Sequence, residues 1–117
     1  MKLAAALIAA LTFAVWSGET TGIASPSYWR NWERMVRNCE APGSDYAWWR
    51  GGWWANTGNG FFFGPQFTYS TWRAAGGPSF STYGRLPHYS VDFIVMIAER
   101  VYRMQGPHAW PNCYRYL

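Results

Sequence analysis

Cys39-Glu40 and, sixteen residues further on, Asn56-Thr57-Gly58-Asn59-Gly60 running into Phe61-Phe62-Phe63-Gly64-Pro65-Gln66-Phe67 are the segments whose residue types suit chemistry. A loop rich in glycine and amides brings backbone N–H and C=O groups close to a ligand, and the aromatic run beside it offers faces on which pyranose rings stack. A lone carboxyl group facing such a wall makes a sugar cleft with one acid, so glycan cleavage is the first expectation. Breaking a glycosidic bond needs a proton for the leaving oxygen. A carboxyl group supplies it near neutral pH only where poor solvation raises its pKa. Glu40, next to a cysteine and faced by aromatics, is the catalytic candidate. The plain alternative is an exposed helix-end glutamate, whose charge there would oppose the helix dipole.

Most glycosidases set two carboxylates across the bond. Between residues 41 and 91 the sequence offers only Asp45 as a second acid, so a single-acid mechanism is expected. Glu40 would protonate the leaving oxygen and then act as base, with loop dipoles or the sugar's own acetamido group steadying the oxocarbenium-like state. Thr57, Asn59 and Gln66 carry donors and acceptors suited to acetamido and hydroxyl groups; as loop residues they can equally be turn formers satisfied by their own neighbours.

The elements around these residues follow from spacing. Trp29, Trp32, Met35, Val36 and Cys39 recur every three or four positions and predict an amphipathic helix over 27–40, ended by Ala41-Pro42-Gly43, with Glu40 on its last turn. Residues 41–67 read as loops with one or two short strands. Ser70 to Ala75 reads as a short helix stopped by Gly76-Gly77, and 78–89 as an irregular connection poorly suited to a core. A second long helix is expected from an N-cap at Ser90 through Met104 or Gln105. Asp92 in its first turn and Arg100 and Arg103 in its last suit the dipole, and Gly106-Pro107 ends it. Phe93, Ile94, Ile97, Ala98, Val101, Tyr102 and Met104 are its expected buried surface.

Lys2 followed by the apolar run Leu3 to Val15 has the proportions of a signal-peptide core rather than of a membrane span. Gly22 and Ala24 suit a cleavage site, so residues 1–24 are expected to be a leader and 25–117 one small exported domain. Two cysteines, Cys39 and Cys113, allow a single intramolecular pairing. Closing that loop stabilises a small fold by about 4.5 kcal/mol in the chain-entropy model; the alternative is two buried thiols. The net charge of +4 comes with dispersed arginines. That favours an anionic wall polymer as partner over nucleic acid, for which no motif is present.

Eight of the nine tryptophans follow the expected leader, too many for one small core. Trp32, Trp72 and Trp110 suit the framework, and Trp72 is also, with Trp53, the candidate for stacking on substrate. Trp48, Trp49, Trp53 and Trp54 crowd a glycine-rich loop and would form an apolar patch for sugar, a membrane surface or a protein partner. His88 and His108 lack ligand spacing, so no metal or cofactor is expected. No serine sits in a nucleophile elbow, and Gly58-Asn59-Gly60 lacks the helix and lysine of a nucleotide loop.

Taken together, Trp32 through Cys39-Glu40, Trp53 before Asn56-Thr57-Gly58-Asn59-Gly60, Gly64-Pro65-Gln66-Phe67, Ser70-Thr71-Trp72, Gly76-Gly77, Ala98-Glu99, Gln105-Gly106 and Ala109-Trp110-Pro111 before Cys113 resemble, in order and spacing, the catalytic domain of the resuscitation-promoting factors. The resemblance implies a lysozyme-like α+β fold, mainly helical with a short irregular β or loop region and one disulfide, Cys39–Cys113. It implies peptidoglycan as substrate, cut at the β-1,4 bond between N-acetylmuramic acid and N-acetylglucosamine, by a secreted enzyme; a wall-associated monomer is expected. The family's catalytic glutamate falls on Glu40, and its cleft threonine and glutamine on Thr57 and Gln66. Three departures flank the cleft. The Asp45 to Gly52 stretch has no counterpart in the family pattern, Phe63 replaces a glycine, and Ile94 stands where many members have glutamine. The rival expectation is a catalytically weak wall-binding or signalling protein using the same cleft.

Overall fold

A computed structural model of the chain describes residues 26–117, with side chains from Trp29 onward. The leader expected over 1–24 lies outside the described residues. The first helix, α1, spans Pro26–Met35 and buries Trp32 and Met35 completely, as the three-and-four spacing requires. It does not run on as an α-helix to Glu40. Val36–Glu40 forms a π turn, closed by the Ala41 N–H on the Val36 carbonyl at 3.0 Å. Ala41 then leaves the helix at φ −143°, as the residue before Pro42 tends to. Its carbonyl takes up the Gly52 N–H at 2.8 Å.

Helix α2, Tyr69–Ala74, starts one residue earlier than its sequence suggests because Thr68 is the cap, its Oγ1 accepting from Thr71 N at 3.2 Å. Helix α3, Val91–Gln105, has the limits its sequence sets. Ser90 Oγ accepts from Phe93 N at 3.1 Å, and Gly106, at φ +78°, donates to Tyr102 O at 2.7 Å. Its apolar face, Ile94, Val95, Ile97, Ala98 and Val101, is buried. Met104, expected with them, is exposed, because the final turn extends past the edge of the core.

The core is largely aromatic. Phe63 stacks on Trp72 with ring centroids 4.5 Å apart and meets Phe80 edge-on at 5.3 Å; Tyr89 lies over Trp72 at 5.8 Å. The 78–89 connection therefore does supply core, contrary to expectation: Leu86 is buried and Phe80 packs on Phe62, Phe63, Tyr69 and Trp72. Its backbone is irregular, but ring-sized side chains reach inward from it. The β component expected within 41–67 is reduced to one antiparallel bridge, Phe62 to Phe67, closed by two N–H···O=C bonds of 2.8 and 2.9 Å.

Short 3₁₀ turns at Pro107–Ala109 and Tyr114–Tyr116 bring the tail back to α1. Trp110 is buried with its edge on Trp32 at 4.8 Å, and its Nε1 donates to Pro65 O at 2.8 Å. Cys113 is disulfide-bonded to Cys39, 74 residues away in sequence and 5.8 Å away between Cα atoms. Helix α1 with its π turn, the 62–67 loop and the tail thus meet at one joint. Among the described residues no helix is long and apolar enough to cross a membrane.

Candidate active site

Glu40 is the last residue of the π turn, between the disulfide-bonded Cys39 and Ala41-Pro42. π turns widen a helix locally and recur at functional positions, because they re-aim the side chains they carry. The Glu40 carboxyl group is half-buried and has no hydrogen-bond or ion-pair partner among the described residues. Burial pushes its pKa up from 4.5 to about 7, since the charged form loses water and gains nothing in return.

Three other carboxylates are engaged. Glu33 accepts from Trp53 Nε1 at 2.7 Å and from Arg37 Nε at 3.2 Å. Asp45 takes Arg37 in a two-point grip, 2.8 Å to Nη1 and 2.7 Å to Nη2, and accepts Trp53 N at 2.9 Å. Partial burial alone would raise the Asp45 carboxyl; the Arg37 and Trp53 hydrogen bonds and the nearby Arg37 and His88 charges outweigh it and hold it below the usual carboxylate range. Glu99, buried, accepts from Trp32 Nε1 at 2.9 Å, with Arg103 Nη1 at 3.9 Å from its other oxygen. Asp92 is exposed on the first turn of α3. Glu40 is thus the described acid that is both partly dehydrated and unpaired, the state a proton donor needs at neutral pH.

The amide loop is held on the same joint. Phe63 N donates to Ala55 O at 2.9 Å and Gly64 N to Trp53 O at 2.8 Å. Gly64 lies so close to Val36, on the π turn, and to Trp53 that a β-carbon would press on both side chains. Asn56 is buried and works as a hub, its N–H on Trp48 O at 2.9 Å and its Nδ2 on Thr82 O at 3.0 Å and Gly84 O at 2.8 Å. Thr57 follows it, exposed. Asn59 Oδ1 accepts from Phe61 N at 3.0 Å while its Nδ2 donates to Gln66 Oε1 at 3.2 Å, and Gln66 Nε2 donates to Phe63 O at 2.9 Å. Asn59 is therefore a turn former that also orders Gln66. Phe63 and Gln66 both hold positive φ, 64° and 63°, a strained conformation for side chains of their size. At Phe63 the gain from burying its ring against Trp72 offsets that strain.

Trp53 and Trp72, the stacking candidates, do not present faces to a ligand: they are 1% and 0% exposed. Trp53 is fixed by Glu33 and Gly64, and Trp72 by its Nε1 bond to Pro78 O at 2.8 Å and by Phe63. Both support the loop from behind. The four-tryptophan patch is likewise divided. Trp54 is half-buried, its Nε1 on Tyr89 O at 2.8 Å and its ring stacked on His88 at 3.7 Å, whereas Trp49 is exposed and Trp48 half-buried.

Sequence reasoning missed Arg37, which joins α1 to the stretch after Glu40. The four-residue spacing of Glu33 and Arg37 was a visible signal for half of that clamp; nothing local points to Asp45. Among the described residues no group of three or more His, Cys, Asp or Glu side chains lies together to hold a metal.

The family model of the transglycosylase-like domain matches residues 28–113, which includes the Glu40 turn, the amide loop and both cysteines. The chain belongs to that family. This transglycosylase-like domain is similar to resuscitation-promoting factor RpfE of Mycobacterium tuberculosis, 38% identical over 89 residues, which cover 76% of the chain and 44% of that protein. It is 41% identical to RpfA of the same species over 86 residues, covering 74% and 18% of the two chains. It is 37% identical to Rpf1 of Corynebacterium glutamicum over 112 residues, covering 96% and 51%. The transglycosylase-like domain thus spans about half the length, or less, of these curated relatives. The lysozyme-like, mainly helical architecture with one disulfide agrees with that membership.

Proposed function

We propose that the protein cleaves peptidoglycan glycan strands at the β-1,4 bond between N-acetylmuramic acid and N-acetylglucosamine, with Glu40 as the single catalytic carboxyl group. The observation that carries this is the half-buried, unpartnered Glu40, whose pKa near 7 leaves it substantially protonated at neutral pH. Glu40 donates its proton to the leaving oxygen as the bond to the anomeric carbon breaks. The sugar's acetamido group and the dipoles of the amide loop stabilise the positive charge that develops. Glu40, now a carboxylate, withdraws a proton from the incoming hydroxyl. A muramoyl 6-hydroxyl in that place gives a 1,6-anhydro end, and water gives a reducing end.

Asp45 has no part in this scheme, because Arg37 and Trp53 already occupy its oxygens. Thr57 and Gln66 contact the acetamido and hydroxyl groups, Gln66 being oriented by Asn59. The enzyme works as a monomer at the cell wall, exported by the leader over 1–24, and needs no metal or cofactor.

The test is mass spectrometry of soluble fragments released from purified peptidoglycan by the oxidised protein and by its Glu40→Gln variant. Muropeptides released by wild type alone are expected, and a mass lower by one water identifies the anhydro product. Release by neither moves the function to a wall-binding protein that uses the same cleft.

A further inference from the structure

We propose that the Asp45 to Gly52 stretch is a second sugar-binding surface, an aromatic platform that takes a pyranose ring of the same glycan chain outside the Glu40 cleft. Its role rests on the glycan cleavage proposed above. Tyr46 is 88% and Trp49 54% exposed, three positions apart. Trp49 stands edge-on against Trp48, ring centroids 5.6 Å apart, so one tryptophan fixes the orientation of the other.

The platform is rigid. Arg37 holds Asp45 at its start by the two-point grip, and Tyr46 N donates to Ser44 Oγ at 3.1 Å. The backbone folds on itself through Ala47 N to Ser44 O at 3.0 Å and Arg50 N to Ala47 O at 2.8 Å. Gly51 is pressed so closely on the Pro42 carbonyl that no side chain fits there. The Trp49 ring, set against Trp48 on this tied backbone, loses little conformational freedom when a ligand covers it.

Its two attachments place it beside both halves of the proposed site. Gly52 N donates to the carbonyl of Ala41, the residue after Glu40, at 2.8 Å, and Trp48 O accepts from the N–H of Asn56, the residue before Thr57, at 2.9 Å. The stretch is thus hydrogen-bonded to the acid-bearing turn at one end and to the amide loop near its middle. A glycan chain longer than the cleft has these rings as its next support.

The residue types favour sugar over lipid. Residues 43–52 contain no Leu, Ile, Val, Met or Phe, so the two rings have no aliphatic neighbours in this stretch to enter acyl chains with them. What they offer is two flat amphipathic rings with Ser44 and Arg50 exposed beside them. That matches a pyranose, whose C–H face covers a ring while its hydroxyls reach polar neighbours.

The experiment is co-sedimentation of the oxidised protein, as Glu40→Gln to stop turnover, with insoluble purified peptidoglycan. It is run beside binding to a soluble peptidoglycan tetrasaccharide and to anionic phospholipid vesicles. Adding Tyr46→Ala and Trp49→Ala is expected to weaken polymer binding by about tenfold, the size of one lost contact surface, while tetrasaccharide affinity and the melting temperature hold. Tyr46→Phe with Trp49→Phe is expected to restore polymer binding. Undiminished polymer binding by the alanine pair overturns the platform alone. Equal weakening for polymer and tetrasaccharide also overturns it, since the rings would then belong to the cleft, as does vesicle binding that depends on the two rings. Binding of neither glycan by the parent Glu40→Gln protein sinks the platform together with the proposed cleavage.

Discussion

Glu40 and Asp45 lie five positions apart on one stretch of chain, both half-buried, and the fold treats them in opposite ways. Asp45 has three hydrogen bonds and a guanidinium facing it, and its carboxyl is held below the usual range. Glu40 has burial without partners, and its carboxyl is pushed up to about 7. Distance along the chain does not separate them; the direction in which the π turn and the Pro42 corner aim each side chain does. The same dehydration that is neutralised at Asp45 to build a joint is left uncompensated at Glu40, where it makes an acid. A site that stores unfavourable energy in this way needs a well-anchored frame. The disulfide on one side and the Arg37 clamp on the other supply it.

The sharpest way to break the contrast is to remove Glu40 chemically while keeping its shape. Glu40→Gln is expected to lower muropeptide release by about 1,000-fold, within the range of a lost general acid, with the fold intact by circular dichroism. Wild-type kcat/KM should fall as pH rises through about 7, as the proton donor ionises. A variant that still turns over, or a flat profile across that region, removes Glu40 from the chemistry.

Arg37→Ala attacks the other half. It leaves Asp45 partly buried without its cation and is expected to cost about 2 kcal/mol, a fall in melting temperature of roughly 10 °C for a domain of this size. The pH dependence follows from the lowered Asp45 value. Its contribution is present above the ordinary aspartate range and is lost as pH falls through the folded-state value, so the variant should show a smaller loss of stability on acidification than wild type. Equal melting temperatures would make the clamp ornamental.

Glu40→Gln carries a second, smaller consequence with the opposite sign. A carboxyl raised above its unfolded value favours the folded state fully below 4.5, and that contribution declines with rising pH until about 7. Above that point the amide should stabilise the protein by about 1 kcal/mol, allowing for the solvent that reaches this half-exposed group. Below 4.5 wild type and variant should melt together. A variant no more stable than wild type at high pH would mean that Glu40 is not held at a cost.

The smallest effect is expected at Asn59. Asn59→Ala releases Gln66 Oε1 and the turn at Phe61 N, which should raise KM about threefold, leave kcat within experimental error and barely move the melting temperature. A loss of kcat equal to that of Glu40→Gln would place Asn59 among the reacting groups instead.

How far the sequence alone reaches depends on the range of the interaction. Helix α3 was legible to the residue at its start, because Ser90 and Phe93 are three positions apart and Gly106 closes it locally. Glu40 and the amide loop stood out by residue type, and the disulfide followed from there being two cysteines. The roles of Trp53 and Trp72 were not: each indole N–H is satisfied by a group that spacing does not reveal, Glu33 for one and the Pro78 carbonyl for the other. Arg37 falls between the apolar positions of the first helix in sequence, and Asp45 becomes its partner only after the chain turns at Pro42. Phe63 stands where the family pattern has glycine; that its backbone keeps positive φ while its ring fills the core is a three-dimensional fact.

The disulfide has a bearing on timing. Cys39 sits beside Glu40, but its partner Cys113 lies 74 residues further along the chain. The turn that carries the acid can therefore be locked only after the chain as far as Cys113 has been synthesised, and only where thiols are oxidised. A chain still emerging, or one kept in a reducing compartment, has its π turn without the covalent tie. Closure of the frame is thereby coupled to synthesis of the 74-residue span between the cysteines and to arrival in an oxidising compartment.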